Sequence, residues 1–385
     1  TFRPGLSAFI PALAGTNLPA VVTFGAFIVI IKATVFIHHK KTHAKKFAVV
    51  WLMSCRKPFS IHQGHLQGIR QIAANISNHR KDLCMFKAWF IAMRPWSFTA
   101  AFVPVAVGTA LAWSQGFFQP GLFFLTSLGA VLMQAGTNFI NTYGDYCSGV
   151  DTVESAHTCP QLVTGAMRPA DMKRAGFLAF GAAGAIGLAL SWLCGWEILV
   201  IGLVGVLGGY TYTAGPCPFK YRGLGSIFVF FLMGPLMVWP AWFIQTGGHA
   251  WLPALVSLPV GFLVSAILNG NDVRDIGHDR SAGIETLATK LGGMSGLQLQ
   301  RLLYRAAFLS LLLLFLLKLL PVTALLPFIL LPAFRKTMLV IHDAEAGREE
   351  SLLQLEKMAA AFHFQFGILL AAGLAISPWL VGKGL

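Results

Sequence analysis

Between Phe98 and Val381 nine apolar runs follow one another: 98–115, 121–143, 175–194, 197–214, 225–245, 252–270, 302–319, 322–340 and 362–381. Each is close to the ~20 residues that an α-helix needs to cross a bilayer. Lipid offers no partner to an open backbone, so only helices and closed barrels span it, and runs of this length select helices. Of the 385 residues 56% are hydrophobic and 11% charged, with a mean hydropathy of +0.67. Soluble domains carry about 25% charged residues. The expected fold is therefore an all-α, polytopic membrane protein with nine transmembrane helices. Forty glycines suit close helix packing in lipid.

Charge sets the expected orientation. Residues 1–84 hold eleven Lys and Arg against one acid, Asp82, so most of the +14 net charge is an N-terminal property and does not mark a nucleic-acid surface. Of the eighteen later Lys and Arg, sixteen fall in the lead-in to the first run or after the second, fourth, sixth and eighth; only Lys318 and Lys383 fall on the other side. Basic loops stay in the cytoplasm, so these loops, with thirteen of the fourteen acids after residue 84, are expected there. The first 84 residues open without Met, carry a His/Lys-rich patch (His38 to Lys46), and interrupt their one apolar stretch with Lys32. We expect them to be an N-terminal extension, untranslated or disordered, with residues 85–385 as the functional unit.

Two segments that leave apolar runs are near copies of one another. The first is Asn141-x-x-x-Asp145 followed by Gly149-Val-Asp151-Thr152; the second is Asn271-Asp272-x-x-Asp275-x-x-x-Asp279 followed by Gly283-Ile-Glu285-Thr286. Six of the chain's fifteen acids lie in them. They follow the second and sixth runs, four helices apart, which predicts two similar halves around a central cavity open to the cytoplasmic side. On a helix, residues three and four apart share a face, so Asn141 aligns with Asp145, and Asn271 with Asp275 and Asp279. Carboxylates gathered in a half-buried space repel one another unless a cation compensates. An oxygen-only donor set suits Mg²⁺, which commonly shares a few carboxylates with the phosphates of a substrate.

Arg274, Arg280, Lys220 and Arg222 lie within or between these segments and could stabilise a diphosphate leaving group. Helical walls would shelter an apolar tail. A solvated acidic loop is the plain alternative for one segment alone; its repetition at matching places disfavours that reading. The six cysteines form no Cys-x-x-Cys pair. An ion-coupled transporter is a rival, since repeats and membrane acids also serve transport. Against it, the acids stand at helix ends on one side, and no run looks broken at its centre.

These residues resemble the UbiA superfamily of intramembrane prenyltransferases. The likeness runs from Arg94 to the C-terminus. It rests on Arg94-Pro95, the two aspartate motifs, Leu162-Val-Thr-Gly165, Gly215-Pro-x-Pro218…Tyr221-x-Gly-Leu-Gly225 and Asp279-Arg280…Gly283. Thr142 stands where many relatives carry Asp. Within the superfamily the strings look most like the naphthoate branch of menaquinone biosynthesis. The resemblance implies Mg²⁺ held by Asp145, Asp151, Asp275 and Asp279, with Asp272 as a further ligand. It implies Asp145, Asp275 and Lys220 as catalytic residues, and Asn141, Asn271, Arg274, Arg280, Arg222, Tyr221 and Arg94 around the substrates. Those substrates would be a polyprenyl diphosphate and an aromatic acceptor, 1,4-dihydroxy-2-naphthoate, in a bacterial inner membrane with the site facing the cytoplasm. Other acceptors of the superfamily (4-hydroxybenzoate, homogentisate, a haem or chlorophyll precursor) stay open.

Overall fold

A computed structural model describes residues 85–149, 151–152, 159–212, 219–281 and 283–381. The N-terminal extension and the Gly215-Pro-x-Pro218 string lie outside them. Among the described residues the structure is helical, without strands. Besides short helices at Leu252–Val256 and Leu287–Leu291 and three 3-10 segments, the helices are α1 (Phe98–Ser114), α2 (Pro120–Cys147), α3 (Pro169–Cys194), α4 (Glu197–Thr211), α5 (Gly225–Met233), α6 (Pro235–Thr246), α7 (Leu258–Arg274), α8 (Ile276–Ser281), α9 (Gly293–Leu316), α10 (Leu331–Glu345) and α11 (Glu349–Val381). Several open on proline at the first or second position, where the missing N–H costs nothing.

Among the described residues eight helical stretches are long and apolar enough to cross a membrane; α4, with 15 residues, is the ninth apolar segment and is shorter. The expected nine-helix pattern thus holds approximately, with shifted boundaries. α9 begins at Gly293 where the apolar run begins at 302, and α11 at Glu349 where the run begins at 362. These ends carry charges, which lower local hydropathy without breaking the helix; Arg301, for instance, pairs with Glu345 at 2.7 Å.

One expectation is overturned: the fifth span is broken at its centre. α5 stops at Met233 and α6 restarts at Pro235, with Gly234 between them at φ −97°, ψ −100°. Pro235 has no N–H to continue the ladder. Gly234 also packs against α7, where an added Cβ would stand 3.2 Å from Gly261 Cα. The break therefore serves close packing. It weakens an argument against transport without supplying one for it.

The main core joins α1, α6, α7, α9 and α11 through residues such as Val103, Val238, Leu263, Leu311 and Phe366. Gly108 lies against the Val238 carbonyl and Gly367 against Val103, so closely that a Cβ at either would clash. By contrast α4 buries only Ile198 and Gly208. Leu199, Leu203 and Leu207 on its outer side are exposed, as lipid-facing residues are. Its other side is glycine-rich and faces the interior.

Candidate active site

The helices enclose a cavity of about 380 Å³ that is polar at one end and apolar along the rest. On α2 alone its lining runs from Thr126 to Asp145; at ~1.5 Å per residue this is roughly 28 Å, close to the thickness of the hydrocarbon core. Gly202, Gly205, Leu190, Ile198, Pro240 and Ile244 line its apolar part.

The polar end is built where two helices stop. Asp145 sits in the last turn of α2, and Asp275 caps α7. Helix C-termini carry partial negative charge, so both carboxylates stand where a cation is favoured. After α2 the chain folds back through Gly149, in the left-handed region at φ +74°, and the Asp151 N–H donates to the Asp145 carbonyl at 3.1 Å. Gly283, at φ +70°, plays the same part after α8, where the Ile284 N–H donates to the Asp279 carbonyl at 2.8 Å. No atom lies within 4 Å of a Cβ built on either glycine, so backbone conformation and not space requires them. The repeat diverges one step later. Asp151 faces the cavity; its counterpart Glu285 is exposed and pairs with Lys290 at 3.0 Å.

Asp145, Asp151, Asp275 and Asp279 therefore line one cavity, with Asn141 and Asn271 beside them. Lys220 Nζ donates to both Asp145 oxygens, at 2.9 and 3.1 Å, and the pair is nearly buried. Arg274 binds Asp275 through two bonds of 2.7 Å, donates to Asn271 Oδ1 at 2.6 Å, and also grips Glu356 of α11. Arg94 completes the rim: its backbone is left-handed (φ 52°), Nη2 donates to Thr142 Oγ1 at 3.3 Å, and Nε has no partner among the described residues. Thr142 is fully buried and its hydroxyl also touches Cys159 Sγ at 3.4 Å.

Not every expected residue is here. Asp272 is buried but does not line the cavity, and its Oδ1 has no hydrogen-bond partner among the described residues. Arg222 and Arg280 are exposed outside it, and Tyr221 lies in the 3-10 turn Lys220–Arg222. Conversely, Glu356, His278 and Tyr212 line the cavity although the motifs do not mark them. So do Gln134 and Asn138. A signal for these two was present: residues 134, 138, 141 and 145 form a polar stripe, at spacings of four, three and four, on an otherwise apolar helix.

Among the described residues five carboxylates (Asp145, Asp151, Asp275, Asp279, Glu356) and three cations (Arg94, Lys220, Arg274) line the polar end, an excess of negative charge. Burial, then the neighbouring Asp145, pushes the Asp151 carboxyl above the usual carboxylate range. Burial pushes Asp279 up to about 6, with Lys220 opposing. Such carboxylates fit a divalent cation. Among the described residues no three His, Cys, Asp or Glu side chains form a ready-made cage. Lys220 and Arg274 instead neutralise one aspartate of each motif. This too fits Mg²⁺, which usually takes one or two carboxylates and completes its shell with substrate phosphates and water.

A family model described as the UbiA prenyltransferase family matches residues 101–366. The 1,4-dihydroxy-2-naphthoate octaprenyltransferase of Bacillus subtilis (strain 168) is 36% identical over 199 residues, 52% of this chain and 64% of that protein. UbiA prenyltransferase domain-containing protein 1 of Mus musculus is 34% identical over 209 residues, 53% of this chain and 61% of that protein. The matches thus span less than two thirds of each relative. A UbiA homolog from Archaeoglobus fulgidus, solved bound to GPP and Mg²⁺, superposes with a TM-score of 0.51 at 17% identity, covering 74% of this chain and 99% of that one. At that identity the likeness is one of fold. With the family model spanning well over half of it, the chain belongs to the UbiA prenyltransferase family.

Proposed function

We propose that this chain is an Mg²⁺-dependent intramembrane prenyltransferase. In this reading it moves a polyprenyl group from its diphosphate to 1,4-dihydroxy-2-naphthoate, in a bacterial inner membrane with the polar end facing the cytoplasm. The observation that carries the proposal is the meeting of both aspartate motifs at the polar end of one deep apolar cavity. The similarity to a Bacillus subtilis 1,4-dihydroxy-2-naphthoate octaprenyltransferase supports the acceptor. The near-equal identity to the mouse protein favours a second reading, in which the reaction class stands and the acceptor differs.

Asp145 and Asp151 would hold one ion and Asp275 and Asp279 another; Mg²⁺, when bound, neutralises the diphosphate and makes it a better leaving group. Lys220 stands at the rim where charge develops on the diphosphate oxygens as the carbon–oxygen bond breaks. Arg274 fixes Asn271 and Asp275 in place. The apolar walls keep water from the allylic cation. The acceptor ring then forms the new carbon–carbon bond at the carbon bearing its carboxylate. Carbon dioxide leaves, and the electron pair of its bond restores the aromatic ring. No protein nucleophile is needed.

The test is the full chain in detergent with a polyprenyl diphosphate and the dihydroxynaphthoate. Prenylated, decarboxylated product by mass spectrometry is expected, with diphosphate release that EDTA, Asp145→Ala or Asp275→Ala abolishes. Full turnover in both variants would refute the assignment, and product only with 4-hydroxybenzoate or homogentisate would move the acceptor.

A further inference from the structure

A helical lead-in begins at Met85 and breaks at Arg94-Pro95, where the Met93 carbonyl loses its backbone partner beside the polar end of the cavity. Pro95 has no N–H, and the Ser97 N–H turns back to the Arg94 carbonyl at 2.8 Å. The Met93 carbonyl is taken instead by the Asn138 side chain, whose Nδ2 donates to it at 2.7 Å and to Ser97 Oγ at 2.8 Å. The Ser97 hydroxyl itself donates to the Arg94 carbonyl at 2.8 Å.

These contacts fix the polarity of the whole chain of bonds. A carbonyl can only accept, so the atom of Asn138 facing Met93 is its nitrogen, and its free oxygen faces Gln134. Gln134 must therefore turn its own nitrogen inward, where Nε2 donates to Asn138 Oδ1 at 3.3 Å and approaches Ser97 Oγ at 3.4 Å. Ser97 has spent its only hydrogen on Arg94 and can offer none back. What remains is Gln134 Oε1, a buried acceptor with no partner among the described residues, on a residue only 8% exposed that lines the cavity. Arg94 presents the complementary gap, since its Nε is a buried donor without a partner among the described residues.

We propose that Gln134 is a specificity-determining residue that accepts a hydrogen bond from a hydroxyl of the aromatic acceptor, whose anionic group turns towards Arg94. The inference rests on the prenyltransferase reading above and names the ligand class of this corner of the site: a ring carrying both a hydroxyl and a carboxylate. A ring with the carboxylate alone leaves Gln134 Oε1 buried and unsatisfied, which lowers its affinity.

Equilibrium titration of the full chain in detergent, without prenyl diphosphate, tests this with two probes. These are 1,4-dihydroxy-2-naphthoate and 2-naphthoate, which keeps the ring and carboxylate and lacks the hydroxyls. The wild type is expected to prefer the dihydroxy compound by roughly tenfold to hundredfold. Gln134→Met, of similar length and without the acceptor atom, is expected to lose that preference, because 2-naphthoate then leaves no acceptor unsatisfied. Equal binding of both probes by the wild type overturns the proposal without recourse to a variant, and points to a water held on Oε1 instead. A variant that keeps the preference overturns it too. Prenyl transfer by the wild type, followed in parallel, separates the two levels. Product formation with unaltered discrimination in Gln134→Met sinks only the role of Gln134; absence of product from any hydroxylated aromatic acid sinks the reading beneath it.

Discussion

Replacing Lys220 by Met isolates the electrostatics of the site. Lys220 Nζ lies 2.9 and 3.1 Å from the two Asp145 oxygens, with side-chain exposures of 11% and 5%. At ~3 Å and an effective dielectric constant of about 20, the gross attraction is roughly 5 kcal/mol. Removing one member of a buried pair typically costs about 3–5 kcal/mol, because the other charge is left uncompensated. Methionine keeps most of the apolar stem, so the loss is mainly that of charge. In EDTA, Lys220→Met should therefore melt well below the wild type. Saturating Mg²⁺ should then close most of the gap, because in the variant the ion need not displace an ammonium group from Asp145. The assay is thermal unfolding in detergent across a Mg²⁺ titration; stabilisation grows as RT ln(1 + [L]/Kd), about 2.7 kcal/mol at a hundredfold excess over Kd. Equal melting temperatures in EDTA and equal Mg²⁺ shifts for both proteins would refute the idea that Lys220 occupies the place of a metal charge.

Further predictions concern the cavity and its acids. Gly205 lines the apolar part, and a Cβ there meets nothing within 4 Å. Gly205→Leu should leave stability unchanged or slightly raised, and should shorten the longest prenyl diphosphate accepted, as read from product mass; an unshifted length distribution contradicts this. Asp279 is pushed up to about 6 and Asp151 is raised. Both must shed a proton to hold a metal, so Mg²⁺ affinity should weaken as pH falls below about 6, approaching tenfold per unit, where ordinary carboxylates would hold to about 4; a titration flat from pH 8 to 5 contradicts it. Glu356→Gln removes one of two carboxylates from Arg274 and should cost about 1.5–3 kcal/mol. Arg274→Met strands both carboxylates and should cost more; melting curves that rank the two the other way count against this network.

Much of this was readable from the chain because it depends on local pattern. Apolar length gave the helices, and the spacing of Asn141, Asp145, Asn271, Asp275 and Asp279 gave the convergent ends. The two glycines of the repeat proved to be the left-handed residues of matching turns. What escaped depends on contacts between helices distant in sequence. Glu356 lies in a stretch whose charges hid the start of α11, and nothing in the chain's order ties it to Arg274, 82 residues earlier. The Asp145–Lys220 pair spans 75 residues. The divergence of Asp151 from Glu285 is equally invisible, since both follow a left-handed glycine. The break at Gly234 was missed because a single Gly-Pro step in an apolar run leaves hydropathy unchanged, whereas its cause, contact with Gly261, is tertiary.

In the proposed reaction two separate motifs would each hold a divalent ion against one diphosphate. Electron paramagnetic resonance counting of bound Mn²⁺, in the presence of a non-reactive thiolodiphosphate analogue of the prenyl donor, addresses it directly. Two ions per chain are predicted, falling to one in Asp145→Asn and to one in Asp275→Asn, with neither variant binding the analogue as tightly as the wild type. A count that stays the same in both variants would contradict the account.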